Sequence, residues 1–158
     1  CLVGSEMCIR DSIYTISFLI STLWIGPFWI AMLVNPNKNK TRELMSKPLF
    51  FTGPITIWFL LMLLNPQGLI EFFNMVSHPE GLINGMSKGL ATKIGATATW
   101  AHMVAGDIFA TRWVWADGIK RTNNLTLLRI SIFFSVILMP LGIVLHLIFR
   151  NNIKNSLN

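Results

Sequence analysis

"IYTISFLISTLWIGPFWIAMLV", residues 13–34, contains no charged side chain. At ~1.5 Å of rise per residue, a helix of this length crosses a hydrocarbon core of about 30 Å. A helix of a soluble domain keeps a polar face, and this stretch has none. It therefore reads as a transmembrane helix, kinked where Pro27 removes a backbone donor.

Three more runs follow outward from it. Residues 48–64, "PLFFTGPITIWFLLMLL", are uncharged, sit near the lower length limit for a span and contain Pro54. Residues 94–116 form the third run. Residues 125–149, "LTLLRISIFFSVILMPLGIVLHLIF", form the fourth, interrupted from Ile130 to Phe149 only by Pro140, Gly142 and His146. The sequence thus predicts an all-α fold, an integral membrane bundle of four transmembrane helices over residues 13–150, with a polar tail at 151–158. The connections 35–43 and 117–124 are short and polar, and the latter opens on an Asp-Gly breaker. Residues 65–93 are longer. They hold "LIEFFNMV" (69–76), which reads as a short interfacial helix, then the breaker-rich "SHPEG" (77–81), whose His78 reads as a surface residue.

Composition agrees with this class. Apolar residues make up 53% of the 158 and charged residues 13%, against about 25% charged in soluble domains. The net charge is +6. Its Lys and Arg cluster between apolar runs, as topology-setting charges do, and no basic face alternates with aromatics as a nucleic-acid surface would. Four crossings put Lys38, Lys40, Arg42, Lys47, Lys120 and Arg121 on one side and Lys88, Lys93, Arg150 and Lys154 on the other. That bias of six against four leaves both termini opposite the basic loops. The only cysteines, Cys1 and Cys8, lie in "CLVGSEMCIRDS", so neither a disulfide framework nor a zinc site is expected. This leader, residues 1–12, resembles translated adapter sequence and is expected to take no part in the fold.

The third run carries the chemistry. "HMVAGDIFATRWVWADG", residues 102–118, places His102, Asp107 and Arg112 in an apolar setting, with Asp117 at its end. A charge at mid-bilayer costs roughly 2.5–3.5 kcal/mol on insertion scales, so Asp107 needs a partner, a proton or water. With His102 at zero on a helical wheel, Asp107 falls at about 140°, Arg112 at about 280° and Asp117 at about 60°. No stripe or i,i+4 pair results among them, and partners must come from other helices. Gly95, Ala96, Ala98, Ala101, Ala105, Gly106 and Ala110 permit close approach. Asp107 and His102 are the candidate catalytic pair for proton transfer. The rival reading makes Asp107 a structural acceptor, Arg112 a helix-end anchor, and Trp113 and Trp115 interface-belt residues. His146 is a second candidate histidine, near Arg150. No H-E-x-x-H, G-x-S-x-G or Walker motif is present, and neither metal nor cofactor is called for.

The pattern His102, four residues, Asp107-Ile108-Phe109, two residues, Arg112-Trp113, then Asp117-Gly118 resembles the abscisic-acid-deficient-four family, the neoxanthin synthase-like membrane proteins. "GPFWIAMLV", "MSKPLFF" and "LMPLGIVLH" resemble other parts of that family, so the likeness covers about residues 14–150. Thr111 stands where the family is expected to have glycine and Trp115 where tyrosine is commoner, and the middle loop has no clear counterpart. The resemblance implies a four-span protein of plastid or bacterial inner membranes, with membrane lipid and a carotenoid as partners. It implies isomerisation of an epoxycarotenoid or related isoprenoid: an acid protonates the epoxide oxygen and a base removes a ring-adjacent proton, with no net redox change. Arg112, Trp113, Trp115, Asp117 and His146 are then candidate substrate-binding residues. The alternatives are a non-enzymatic carotenoid- or lipid-binding protein or assembly factor, and a transporter, which the lack of an internal repeat disfavours.

Overall fold

The computed structural model describes the backbone of residues 2–76, 79, 81–121 and 124–154, and the side chains of 12–68, 70, 73–74, 79, 81–121 and 124–150. His78 and the polar tail's side chains lie outside the described residues. Among those described there are eight helices and no strand: α1 (Leu2–Val34), α2 (Asn39–Ser46), α3 (Leu49–Leu64), α4 (Pro66–Val76), α5 (Leu82–Leu90), α6 (Lys93–Arg121), α7 (Leu125–Ile137) and α8 (Met139–Lys154). The all-α class expected from the sequence holds. Two segments, Ser12–Val34 and Asn39–Leu64, are long and apolar enough to cross a membrane. The second takes in α2 as well as α3. The longer α6 (29 residues) is less apolar, and the fourth expected span is not one helix.

The described chain divides into two compact units, residues 1–22 with 53–103 and residues 23–52 with 104–158. In the first, Trp100 stacks on Phe18 with ring centroids 4.8 Å apart and donates from Nε1 to the Thr22 hydroxyl at 2.9 Å. Ser17, Leu61, Ala98 and Ala101 are buried there. The Thr92 hydroxyl accepts from Gly95 N at 3.0 Å, the N-cap pattern that starts α6, and donates to Gly89 O at 2.7 Å. Residue 95 has to be glycine, because a Cβ would strike the Gly89 carbonyl. A helix stands where residues 69–76 were expected to form one, as α4. The sequence reading missed α5, a nine-residue helix too rich in Gly and Ser to stand out.

The second unit is organised around helix ends. Carbonyls at a helix C-terminus have no intrahelical partner, and in apolar surroundings each unmade bond costs several kcal/mol. Here side chains from elsewhere supply the donors. The Thr41 hydroxyl reaches Asn35 O at 2.8 Å, Arg129 reaches Val34 O at 3.0 Å, and Trp115 Nε1 reaches Pro36 O at 2.9 Å. Arg112 Nε does the same for Met45 O, near the end of α2, at 2.7 Å, and its guanidinium lies 5.2 Å from the centre of the Phe50 ring.

α7 and α8 form an antiparallel hairpin. Asn124 caps α7, its side chain accepting from Thr126 N and Leu127 N. The helix stops at Leu138, and Pro140 falls in the first turn of α8, where its missing N–H costs nothing. A Cβ on Gly142 would land on the backbone and hydroxyl of Ser135. Further out, Leu128 and Ser131 line one cavity with His146 and Phe149. Gly142 against Ser135 near the tip and this shared cavity further out mean that the arms run back along each other, and Arg150 returns to the end where α7 began. At ~1.5 Å per residue, α7 is about 20 Å long and α8 as far as Arg150 about 18 Å. Neither arm crosses about 30 Å of hydrocarbon.

Candidate functional site

The sequence reading ended the third helix at Asp117-Gly118, but α6 continues to Arg121. This keeps Trp113, Asp117 and Arg121 on one stripe at i, i+4 and i+8. The Arg121 Nε donates to Asp117 Oδ1 at 2.6 Å. The hairpin lays a second stripe, His146 and Arg150, against the first. His146 Nε2 is 3.0 Å from Asp117 Oδ2, and Arg150 Nη1 is 3.6 Å from that same oxygen. The ring of Trp113 meets the imidazole edge-on, with centroids 5.5 Å apart and planes at 85°. His146 is only 4% exposed.

Burial alone would push the Asp117 carboxyl up. The hydrogen bonds from Arg121 and His146, and their charges, outweigh it and hold the group below its ordinary value. Asp117 is therefore a fixed carboxylate. A carboxylate on one imidazole nitrogen sets the ring's tautomer and orientation. His146 Nδ1 makes no hydrogen bond among the described residues. Beside the pair is a cavity of about 10 Å³, lined by Gly118, Leu128, Ser131, His146 and Phe149. Its volume suits one water molecule.

The structure thus gathers three of the sequence-named binding candidates, Trp113, Asp117 and His146, and adds Arg121 and Arg150. The missed pairs were written in the chain as Asp117/Arg121 and His146/Arg150, each four residues apart. Arg112 and Trp115 are held by backbone carbonyls instead. His102 belongs to the first unit, where it is exposed, its ring 6.4 Å from that of Trp58. Asp107 belongs to the second and is half-buried. Its backbone carbonyl accepts from the Thr111 hydroxyl at 2.7 Å, while its carboxyl has no hydrogen bond or ion pair among the described residues. No group of three or more metal-ligating side chains occurs among those residues.

The family model described as ABA DEFICIENT 4-like matches residues 16–146, most of the chain. This chain belongs to the ABA DEFICIENT 4-like family. It is 28% identical over 142 residues to Protein ABA DEFICIENT 4, chloroplastic, of Arabidopsis thaliana, an alignment that covers 88% of this chain and 62% of that protein. The chain thus spans less than two thirds of that relative's length. No solved structure matches it. Trp113, Asp117 and Arg121 fall inside the family match and His146 is its last residue, while Arg150 lies beyond it.

Proposed function

We propose that this ABA DEFICIENT 4-like protein is a plastid membrane protein that isomerises an epoxycarotenoid or a related isoprenoid by acid–base chemistry, with His146 as the proton carrier and Asp117 as its positioning residue. The carotenoid substrate class and the membrane setting follow from the likeness to the neoxanthin synthase-like proteins, and the plastid from the relative named chloroplastic. The observation that carries the chemistry is the part-buried His146–Asp117 contact at 3.0 Å.

The reaction balances on one residue. The imidazolium gives its proton to the epoxide oxygen as the C–O bond opens, leaving a hydroxyl and an electron-poor carbon. Loss of a proton from a ring-adjacent carbon then forms the new double bond. Neutral imidazole takes that proton, so the histidine ends as it began and no electrons leave the substrate. A base that must change state twice needs its ring held throughout, and the Asp117 carboxylate does that. Asp107 and His102 remain proposed alternatives for the same steps. Ten residues, or about 15 Å along a helix, separate Asp107 from Asp117, so these two carboxylates cannot serve one bond together.

A second reading has its own support. The cavity beside His146 holds about one water, not an isoprenoid. A pigment bound without turnover would instead lie on exposed apolar side chains such as Phe109 and Val144. Pigment analysis of a carotenoid-producing host separates the two. A new pigment of unchanged mass, lost in His146→Gln, supports the isomerase. Pigment that co-purifies unaltered supports the binding protein, and product formation at the wild-type rate by His146→Gln removes His146 from the chemistry.

A further inference from the structure

We infer that α7 and α8 form a re-entrant hairpin that enters the lipid from one face and leaves by the same face, so that the chain after Arg150 emerges beside the α6–α7 connection. The inference rests on the membrane reading above and concerns the partner of one surface, the hydrocarbon of the bilayer.

Three observations carry it. Gly142 packed on Ser135 near the tip, and Leu128 and Ser131 sharing one cavity with His146 and Phe149 further out, fold the arms back on each other, and the contacts of Asp117 with His146 and Arg150 hold the far end of α8 at the end of α6, beside the start of α7. At about 20 Å and 18 Å, each arm stops short of a full crossing. The outer faces and the tip are apolar and exposed, with Phe133, Ile137, Leu138, Leu141, Val144 and Ile148 all at least 40% open. Polar side chains (Ser131, Ser135 and His146) are buried instead. The two serines return their hydroxyls to carbonyls one turn back, Leu127 O at 3.1 Å and Ser131 O at 2.8 Å, which satisfies them within the hairpin.

Charge counts point the same way independently. Four full crossings divide the loop cations six against four. Returning the hairpin to its own side moves Arg150 and Lys154 to join Lys38, Lys40, Arg42, Lys47, Lys120 and Arg121, leaving Lys88 and Lys93 opposite. Eight against two is the strong asymmetry that orients membrane proteins. The sequence-based topology, with both termini on one side, becomes one in which the C-terminus shares the side of the basic loops.

Single-cysteine variants of the full chain, with Cys1 and Cys8 changed to serine, test this in sealed vesicles of either orientation with an impermeant maleimide. Lys120→Cys and a cysteine appended after Asn158 should react from one side, and Ser87→Cys from the other. Reaction of the appended cysteine from the side of Ser87→Cys would overturn the hairpin. Leu60→Cys reports on the membrane reading separately: it should be inert, and reaction as fast as that of Ser87→Cys would end that reading rather than this one. Leu138→Cys at the tip should resist the reagent from both sides while its spin-labelled form relaxes with oxygen. Efficient disulfide formation between two copies at position 138 would instead make a second copy the occupant of the tip.

Discussion

Replacing Gly142 with alanine tests the hairpin at its tightest point. The added Cβ falls on Ser135 N, Cα and Oγ. Two of these atoms are backbone, so no rotamer change removes the clash, and the arms must part. Forcing extra methylenes into packed interiors typically costs about 1–3 kcal/mol. Alanine's higher helix propensity returns up to about 1 kcal/mol, so a net loss of about 1–2 kcal/mol is expected. For a protein of this size each kcal/mol shifts the melting temperature by about 2–4 °C, giving a fall of about 2–8 °C. Two glycines of α6 calibrate the measurement. At Gly118 the nearest atoms to the new Cβ belong to the Leu128 side chain rather than to backbone, and at Gly106 it meets nothing within 4 Å. Thermal unfolding in one detergent, followed by circular dichroism, should rank the variants Gly142→Ala below Gly118→Ala below Gly106→Ala, with Gly106→Ala at or above the wild type. Gly142→Ala melting with the wild type, or a reversed order, would refute the close packing of α7 on α8.

Other outcomes follow from the same geometry. Because the folded Asp117 carboxyl titrates below its unfolded value, it contributes stability that is fully present above about pH 4 and lost as pH falls through the folded value. The stability gap between wild type and Asp117→Asn should therefore be widest near neutrality and close in acid, and a gap that widens as pH falls would contradict the ion pairing. Trp115→Phe keeps an aromatic ring but strands the Pro36 carbonyl, and should cost about 1–3 kcal/mol in denaturant unfolding. Trp113→Phe, whose Nε1 makes no hydrogen bond among the described residues, should cost less, and equal losses would show that the indole donor is unimportant.

Helical class and the first two apolar segments were legible because their signals are long: tens of residues without charge. The division of residues 125–149 was not. Leu, Ile, Val and Phe fill both arms alike, and a proline that kinks one helix looks the same as a proline that opens a second. Only Gly142 packed on Ser135 distinguishes the two, and that contact is tertiary. Asp117-Gly118 misled in the opposite sense. The pair usually breaks a helix, yet Asp117 finds Arg121 one turn on, and Gly118 gives Leu128 its space. The sequence reading ranked Asp107 first among the candidates because a carboxylate in an apolar run is costly. The group with the densest set of partners is instead Asp117, which owes His146 and Arg150 to a contact 29 residues distant or more. The i,i+4 spacing of each half was visible in the chain, but nothing local said that the halves meet.

The donors that close the end of α1 come from positions 41, 115 and 129, while the carbonyls they serve lie at 34, 35 and 36. A chain made from its N-terminus therefore has α1 complete long before two of those three donors exist. During synthesis, the Val34 and Pro36 carbonyls must keep water or a helper protein as partner until Trp115 and then Arg129 have left the ribosome. This makes α7 the segment whose arrival fixes the turn after α1, and it ties the end of α1 to a residue 95 positions later in the chain.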